Sequence, residues 1–276
     1  MPLSLASTIG IAPGVDMPRL GLGTYKSAPD EVAAAVETAL RHGYRSIDTA
    51  SLYGNEAGVG EGLRAAGLAR EEVFVTTKVW NDEQGFDGTR AALRRSLHRL
   101  GLAKVDLYLV HWPVERHLEA TWRAMESLLA EGLTSAIGVC NFLPHHLDAL
   151  LDIAEVVPAV DQVEFHPWLQ QPDLQSYLAA HGIVLEAWAP IMRGRADEEP
   201  VLAEIARRHD VTPAQVALRW ILQLGHVAIP KSVHEERIRQ NSDVFGFSLS
   251  ESEVAAISAV DRGMRFGPDP DAYAWR

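Results

Sequence analysis

Apolar positions along the chain recur with two different spacings. Short, nearly continuous apolar runs are separated by longer stretches in which apolar residues return every three or four positions. The first spacing is typical of a buried strand and the second of an amphipathic helix. Strands are predicted on this basis at 20–24, 45–48, 73–77, 105–110, 134–139, 159–163, 183–188 and 226–230.

Helical patterns fill the intervals between the predicted strands. They are predicted at 29–41, 56–66, 88–100, 117–131, 144–151, 172–181, 198–208, 213–223 and 254–260. Two of these helices have clear start signals. Thr212 is an N-cap directly before Pro213, and Ser250 with Glu253 forms a capping box.

The order of these elements predicts the fold class, which is α/β. A Pro-Gly turn within residues 8–18 predicts a hairpin ahead of the first strand. The alternation that follows favours a closed (β/α)8 TIM barrel with an N-terminal β-hairpin, a C-terminal loop and an extra helix. The 276 residues fit one such barrel or two smaller domains. Because no linker interrupts the pattern, we expect one domain over residues 1–276.

Composition limits the environment in which the chain works. Apolar residues make up 47% of the chain, enough for a sizeable core, but no window approaches the roughly 18 uninterrupted apolar residues of a membrane span. Residues 1–5 have neither the basic nor the long apolar region of a signal peptide. We therefore expect a cytoplasmic protein with no membrane association.

Charge and metal-ligand patterns exclude further classes of partner. A net charge of −12 argues against nucleic acid, which requires a broad basic surface. Cys140 is the only cysteine, so an intramolecular disulfide and a cysteine zinc cluster are excluded. His145 and His146 are adjacent and would point about 100° apart on a helix. No metal site is predicted.

Polar side chains follow three successive predicted strands. Asp48 is the last residue of the second strand and Tyr53 follows it, while Lys78 follows the third strand and His111 the fourth. The carboxyl ends of parallel strands meet at one face of a barrel, so we expect these side chains to lie close together. Considered alone, the loop after the second strand has an equally good alternative, in which Asp48 caps the next helix and Tyr53 packs at the rim.

The chemistry of these four residue types favours reduction of a carbonyl group. A lysine at the end of a buried strand needs a carboxylate to stay charged, and Asp48 can supply it. The lysine should lower the pKa of Tyr53 from about 10 and make the phenol a general acid. His111 can then hold the substrate oxygen near the phenol by a hydrogen bond.

The segments that contain these residues resemble the aldo-keto reductase family, across nearly the whole chain. The segments are GYRSIDTASLYGNE, VTTKVWND, DLYLVHWP, MPRLGLGTYK at 17–26, IGVCNF at 137–142, PAVDQVEFHP at 158–167 and IPKSVHEERIRQN at 229–241. The chain is similar to the small bacterial members, which include 2,5-diketo-D-gluconate reductase. The resemblance implies that Asp48, Tyr53, Lys78 and His111 are catalytic. It also implies NADPH as the cofactor.

The resemblance places the cofactor across the top of the barrel, since residues 21–24 are not a Gly-x-Gly-x-x-Gly fingerprint. The implied cofactor residues are Gly23, Thr24, Asp48, Cys140, Asn141, Gln162, Trp188, Ala189, Ile191, Lys231, Ser232, Val233, Arg237, Gln240 and Asn241. Asn141 and Gln162 would hold the carboxamide, and Trp188 would stack on the nicotinamide. Glycine in the first strand would allow the backbone close to a ligand.

Within this implied cofactor site, the chain departs from the family at three positions. Cys140 and Ala189 stand where serine is common, and Gln240 stands where glutamate is common. A thiol is a weaker donor than a hydroxyl, so one hydrogen bond to the carboxamide is expected to be weaker. Lys231 and Arg237 would bind the adenine end with its phosphate. An ordinary amphipathic helix with solvated cations is the alternative for this basic segment.

Aromatic residues near the strand ends are candidates for a substrate pocket. The candidate substrate residues are Tyr25, Tyr53, Trp80, His111, Trp112, Phe266, Tyr273 and Trp275. The loops 113–116 and 191–197, which enclose the substrate in larger family members, are short here. The resemblance therefore implies an open pocket that accepts aldehydes, dicarbonyls and activated ketones. We expect a monomer. The alternative function is an NADP-binding regulatory or interaction protein of the same fold, as in potassium-channel beta subunits.

Overall fold

The structure of the chain is a computed structural model, and it describes residues 3–272. Two of the predicted substrate residues, Tyr273 and Trp275, lie outside this described part. Within it, no helix is long and apolar enough to cross a membrane.

The strands form a small hairpin and one large parallel sheet. Their bounds are β1 Thr8–Ala12, β2 Val15–Pro18, β3 Leu22–Gly23, β4 Ser46–Asp48, β5 Phe74–Val79, β6 Val105–Val110, β7 Thr134–Cys140, β8 Val160–Glu164, β9 Val184–Trp188 and β10 Val227–Ala228. Strands β1 and β2 pair antiparallel, which confirms the predicted hairpin. The order β10-β9-β8-β7-β6-β5-β4-β3 follows the chain, and each neighbouring pair is parallel.

The first and last strands of the large sheet meet and close it into a barrel. The Gly21 amide donates to the carbonyl of Ala228 at 2.9 Å, and the Gly23 amide donates to that of Pro230 at 3.1 Å. A Cβ on Gly23 would lie 3.0 Å from the carbonyl oxygen of Ile229. Glycine at this position therefore allows β3 to approach the β10 segment, rather than only a ligand as the sequence had indicated.

Helices alternate with the strands and cover the outside of the barrel. Their bounds are α1 Pro29–Arg41, α2 Glu56–Ala65, α3 Phe86–Leu100, α4 Leu118–Ala130, α5 Pro144–Leu151, α6 Pro172–His181, α7 Pro200–His209, α8 Pro213–Gln223, α9 Glu235–Ser242 and α10 Glu251–Ser258. Both predicted start signals are present, as capping boxes at Thr212 and Ser250. The (β/α)8 barrel with its hairpin and extra C-terminal helix is thus confirmed.

The hydrophobic core has two parts, one inside the barrel and one between strands and helices. At the N-terminal end of the barrel, Ile11 and Met17 of the hairpin cluster with Phe74, Leu107 and Leu109. The larger cluster lies between the sheet and the helices. Because apolar side chains fill the interior and the hairpin covers its N-terminal end, the opposite end of the barrel is the face on which the polar strand ends meet.

Candidate active site

A buried ion pair lies at the carboxyl ends of β4 and β5. Lys78 Nζ donates to both carboxylate oxygens of Asp48, at 2.6 and 2.7 Å, and to the backbone carbonyl of Thr49 at 2.9 Å. Burial acts to lower the pKa of Lys78, but the Asp48 carboxylate and its neighbours raise it, and the net shift is upward. The lysine is therefore charged, and the predicted pairing with Asp48 is confirmed.

Tyr53 adjoins this ion pair from the short helical turn after β4. Its hydroxyl lies 3.5 Å from Lys78 Nζ, and the ring is half-buried. Burial raises the pKa of Tyr53, and Lys78 lowers it by less. The prediction of a pKa below 10 is wrong in its net sign, because it counted the cation and left out the loss of solvent around the phenol. Tyr53 therefore holds its proton at neutral pH.

His111 lies on the other side of Tyr53, directly after β6. The two rings are 5.8 Å apart and meet edge to face. Burial, and then the charge of Lys78, lower the pKa of His111 well below its usual range. The imidazole is thus neutral at neutral pH and carries one N–H donor. The structure brings the four side chains Asp48, Tyr53, Lys78 and His111 together, as the strand ends predicted.

The predicted substrate aromatics divide into two groups. Tyr25 packs 5.0 Å from the Tyr53 ring and is 46% exposed, and Trp80 meets His111 edge to face at 5.0 Å. These two rings border the mouth beside the four polar side chains. Trp112 is buried, so it forms part of the wall behind the mouth.

Phe266 belongs to a C-terminal segment that returns to the barrel mouth. Its ring packs against His166 and Trp168 rather than against Tyr53. The Glu164 carboxylate at the end of β8 accepts the backbone amides of Phe266 and Gly267, at 2.6 and 3.0 Å. Glu164 was missed as a candidate from the sequence, although a carboxylate at the end of an apolar strand is the kind of signal that identified Lys78.

Side chains predicted to hold a nicotinamide carboxamide line the same end of the barrel. Asn141 donates to the carbonyl of His111 at 3.0 Å and accepts from the Trp188 indole N–H at 2.9 Å. Gln162 Nε2 donates to Asp48 Oδ2 and to Glu186 Oε2, at 2.8 Å each. Gln162 and Glu186 are therefore joined to the Asp48–Lys78 pair in one network, and Asn141 is joined to Trp188 and His111 beside it.

Four further cofactor candidates lie around that network. Thr24 donates from its hydroxyl to the backbone carbonyl of Asp48 at 2.9 Å. Cys140 is buried, and burial raises the pKa of its thiol. Ala189 has a positive φ of 53° directly after β9, and Ile191 is half-buried in the following turn. The positive φ at Ala189 redirects the chain away from the strand.

The remaining cofactor candidates lie after β10 and on α9. Gly23 and Lys231 are paired across the barrel closure, which brings the basic segment to the mouth. Ser232 is buried, with its hydroxyl bonded to the backbone of His234. Lys231, Val233 and Gln240 are half-buried, Asn241 is buried and Arg237 is exposed. Among the described residues, neither Lys231 nor Arg237 has a hydrogen bond or ion pair from its side chain.

His145 and His146 approach each other more closely than expected. Their Nε2 atoms lie 3.0 and 3.5 Å from Asp271 Oδ1. His146 Nδ1 accepts the backbone N–H of Leu143 at 3.1 Å, which places the proton of the neutral ring on Nε2. That N–H faces the carboxylate, so the group connects the C-terminal segment to α5. The expectation of no metal site stays a prediction.

Comparison with known proteins agrees with this geometry. The model of the Aldo/keto reductase family matches residues 19–262. Glyoxal reductase of Bacillus subtilis (strain 168) is 50% identical over 272 residues, covering 98% of this chain and 99% of that protein. Methylglyoxal reductase DkgA of Salmonella typhimurium is 47% identical over 269 residues, covering 96% and 97%.

A solved structure shares both the fold and much of the sequence. The crystal structure of a Gox0644 mutant in complex with NADPH superposes with a TM-score of 0.93 at 43% identity, covering 98% of this chain and 99% of that chain. The agreement extends over the whole barrel, and the family match includes all four strand-end residues. This chain belongs to the aldo/keto reductase family.

Proposed function

We propose that the protein reduces small dicarbonyls, aldehydes and activated ketones to alcohols with NADPH. The observation that carries the proposal is the position of a protonated Tyr53 between the Lys78 ammonium, 3.5 Å away, and a neutral His111. Relatives that are glyoxal and methylglyoxal reductases support the dicarbonyl class. The partly exposed Tyr25 at the mouth supports an open pocket that accepts several small substrates.

The four side chains divide the work of adding a hydride and a proton across a C=O bond. When bound, NADPH would supply the hydride for the carbonyl carbon. Tyr53 donates its phenolic proton to the oxygen, and Lys78 stabilises the phenolate that remains. The neutral His111 donates a hydrogen bond to the same oxygen and orients it. Asp48 keeps Lys78 charged and in place, at 2.6 Å.

The proposed position of NADPH is supported by two groups of residues, each of which fits one chemically distinct end of the cofactor. Trp188 offers a half-buried aromatic surface beside Asn141 at one end. Lys231 and Arg237 offer two cations at the other end, and neither is paired within residues 3–272. In a chain with a net charge of −12, unpaired cations at the barrel mouth suit an anionic phosphate.

The test of this function is NADPH oxidation on addition of methylglyoxal or phenylglyoxal, monitored by nicotinamide absorbance. We expect turnover with the dicarbonyls and with activated aldehydes, and alcohols as products. A protein that binds NADPH tightly but oxidises it with no carbonyl compound in a broad panel would instead be a binding or regulatory protein of this fold.

A preference for NADPH over NADH is expected from the basic segment. Losing one charge-assisted hydrogen bond costs about 1.5–3 kcal/mol, so Lys231→Ala and Arg237→Ala should each raise the Kd for NADPH roughly ten- to a hundredfold. NADH lacks the 2′-phosphate, so its Kd should change much less. Added salt should narrow the difference between the cofactors. Fluorescence titration of the tryptophans measures both constants.

Arg239 provides a matched control on α9, the helix that contains Arg237. Its guanidinium is already paired with Glu236 Oε1 at 2.8 Å, so it has less to offer a phosphate. Arg239→Ala should leave the preference for NADPH nearly unchanged. Equal losses of NADPH and NADH affinity in the Lys231 and Arg237 variants would mean that these residues hold the adenosine or the fold, and that they do not select the phosphate.

A further inference from the structure

Glu186 is a buried carboxyl group in the middle of an otherwise apolar strand. In β8 and β9 it is the register partner of Gln162, and both side chains are almost fully buried. Glu186 Oε2 accepts a hydrogen bond from Gln162 Nε2 at 2.8 Å, while Glu186 Oε1 has no partner among the described residues. A carboxyl group that is only half satisfied in a barrel interior is costly, and an apolar residue would avoid that cost.

The orientation of the Gln162 amide follows from its two acceptors. An amide nitrogen has two N–H donors, and those of Gln162 point to Asp48 Oδ2 and Glu186 Oε2 at 2.8 Å each. Turning the amide over would place its oxygen against the Asp48 carboxylate. With both donors committed, the carbonyl oxygen is the one atom that Gln162 can offer to a ligand.

We propose that Glu186 is a positioning residue for the cofactor, holding the Gln162 amide so that its oxygen faces the bound carboxamide and its nitrogen completes the hydrogen bonds of Asp48. This inference rests on the proposed NADPH-dependent function. Glu186 acts through Gln162 and takes no part in proton or hydride transfer. Its effect reaches the reacting groups because Asp48 in turn holds Lys78 at 2.6 Å.

The charge state of Glu186 matters because other charged and titratable groups face it. Asp48 projects from β4, Lys78 from β5 and Cys140 from β7. Burial, and then the Asp48 carboxylate, raise the pKa of Glu186 to about 8. At neutral pH Glu186 is therefore mostly protonated, so it does not compete with Asp48 for the Lys78 ammonium. Ionisation above that pH places a second negative charge beside Asp48.

Two variants separate the hydrogen bond from the charge. Glu186→Gln keeps an acceptor for Gln162 and cannot ionise, so we expect its NADPH Kd and kcat at pH 7 to stay within about twofold of wild type. Glu186→Leu removes the acceptor and frees the amide, so we expect a rise in NADPH Kd of about three- to tenfold at every pH. Ionised Glu186 adds a negative charge that repels the anionic cofactor, so in wild type NADPH affinity should fall as pH rises through about 8, and in Glu186→Gln that fall should be absent.

A second readout does not need turnover. Unfolded glutamate ionises near pH 4.5, whereas folded Glu186 keeps its proton to about pH 8. Between these values the folded state binds one more proton, so its stability falls as pH rises. In thermal unfolding, the Tm of Glu186→Gln relative to that of wild type should therefore rise from about pH 5 to 8.

Asp161 provides the matched control. It is a buried carboxyl on β8, one residue before Gln162, and burial raises its pKa well above the usual range. Among the described residues, the only hydrogen bond to the Asp161 carboxyl group is a long one from the Phe142 amide. The stability of Asp161→Asn relative to wild type should also rise with pH, as for Glu186→Gln. The pH dependence of its NADPH affinity should remain that of wild type.

Three results would overturn the inference. They are an unchanged NADPH Kd in Glu186→Leu, a fall in NADPH affinity with pH that persists in Glu186→Gln, or the loss of that fall in Asp161→Asn. Failure of the proposed function looks different. In that case wild type would turn over no carbonyl compound, while the stability difference between Glu186→Gln and wild type would still grow with pH.

Discussion

Tyr53→Phe is expected to lower the turnover of a carbonyl substrate by about 10²- to 10⁴-fold, the usual contribution of a positioned general acid. The change keeps the aromatic ring, which packs against Tyr25 at 5.0 Å, and removes only the hydroxyl that lies 3.5 Å from Lys78. Steady-state kinetics with methylglyoxal measure the loss. Because wild-type Tyr53 is protonated throughout the neutral range, the size of this loss relative to wild type should depend little on pH there.

The cofactor should bind almost normally to this variant. Tyr53 is no part of the Asn141–Trp188 pair or of the basic segment, so the NADPH Kd should stay within about threefold of wild type. Tyr25→Phe is the matched control, since it removes a hydroxyl from the neighbouring ring and should retain most of the activity. If Tyr53→Phe kept more than a tenth of wild-type turnover when chemistry limits the rate, Tyr53 would not be the acid.

Lys78→Met is expected to abolish turnover and to destabilise the fold by about 3–5 kcal/mol. The variant leaves the Asp48 carboxylate in a site where the side chain is only 3% exposed, with no cation beside it. The hydrogen bond from Gln162 at 2.8 Å satisfies one oxygen and does not neutralise the charge. Urea denaturation followed by tryptophan fluorescence measures the free energy of unfolding.

Removing the stranded charge should recover much of that stability. In the double variant Lys78→Met, Asp48→Asn the buried site holds no net charge, so its free energy of unfolding should exceed that of Lys78→Met while activity stays absent. Lys104→Met, at an exposed position, should cost almost nothing. A loss below about 1 kcal/mol in Lys78→Met would show that Asp48 is easily hydrated or protonated and that the pair contributes little to the fold.

The four strand-end residues could be predicted because the barrel itself brings them together. Asp48 and Lys78 lie at the carboxyl ends of β4 and β5, and His111 directly follows β6. Parallel strands bring these ends to one face of the barrel. Features that depend on tertiary packing were harder to predict from the sequence. A helix at α9, Glu235–Ser242, was considered only as the alternative for the basic segment, since it is short and almost entirely polar and only Ile238 and Asn241 are buried.

Three features of the site needed the structure because they depend on burial or on distant segments. The sign of the Tyr53 pKa shift reflects how much solvent the phenol loses, which neighbouring residues in the sequence do not reveal. A charged residue in the apolar strand 183–188 was visible in the sequence, but the pairing of Glu186 with Gln162 depends on the register of two strands. The approach of His145 to Asp271 depends on where the C-terminal segment returns.

The most direct measurement is the transfer of label from NADPH deuterated at both C4 positions of the nicotinamide during reduction of methylglyoxal. If the protein is a carbonyl reductase of the proposed kind, the alcohol product carries deuterium on the former carbonyl carbon, in step with NADP⁺ formation. The same product should form at least a hundredfold more slowly with Tyr53→Phe. An alcohol without deuterium at that carbon, or tight NADPH binding with no reduction of any carbonyl compound, would contradict the proposed reaction.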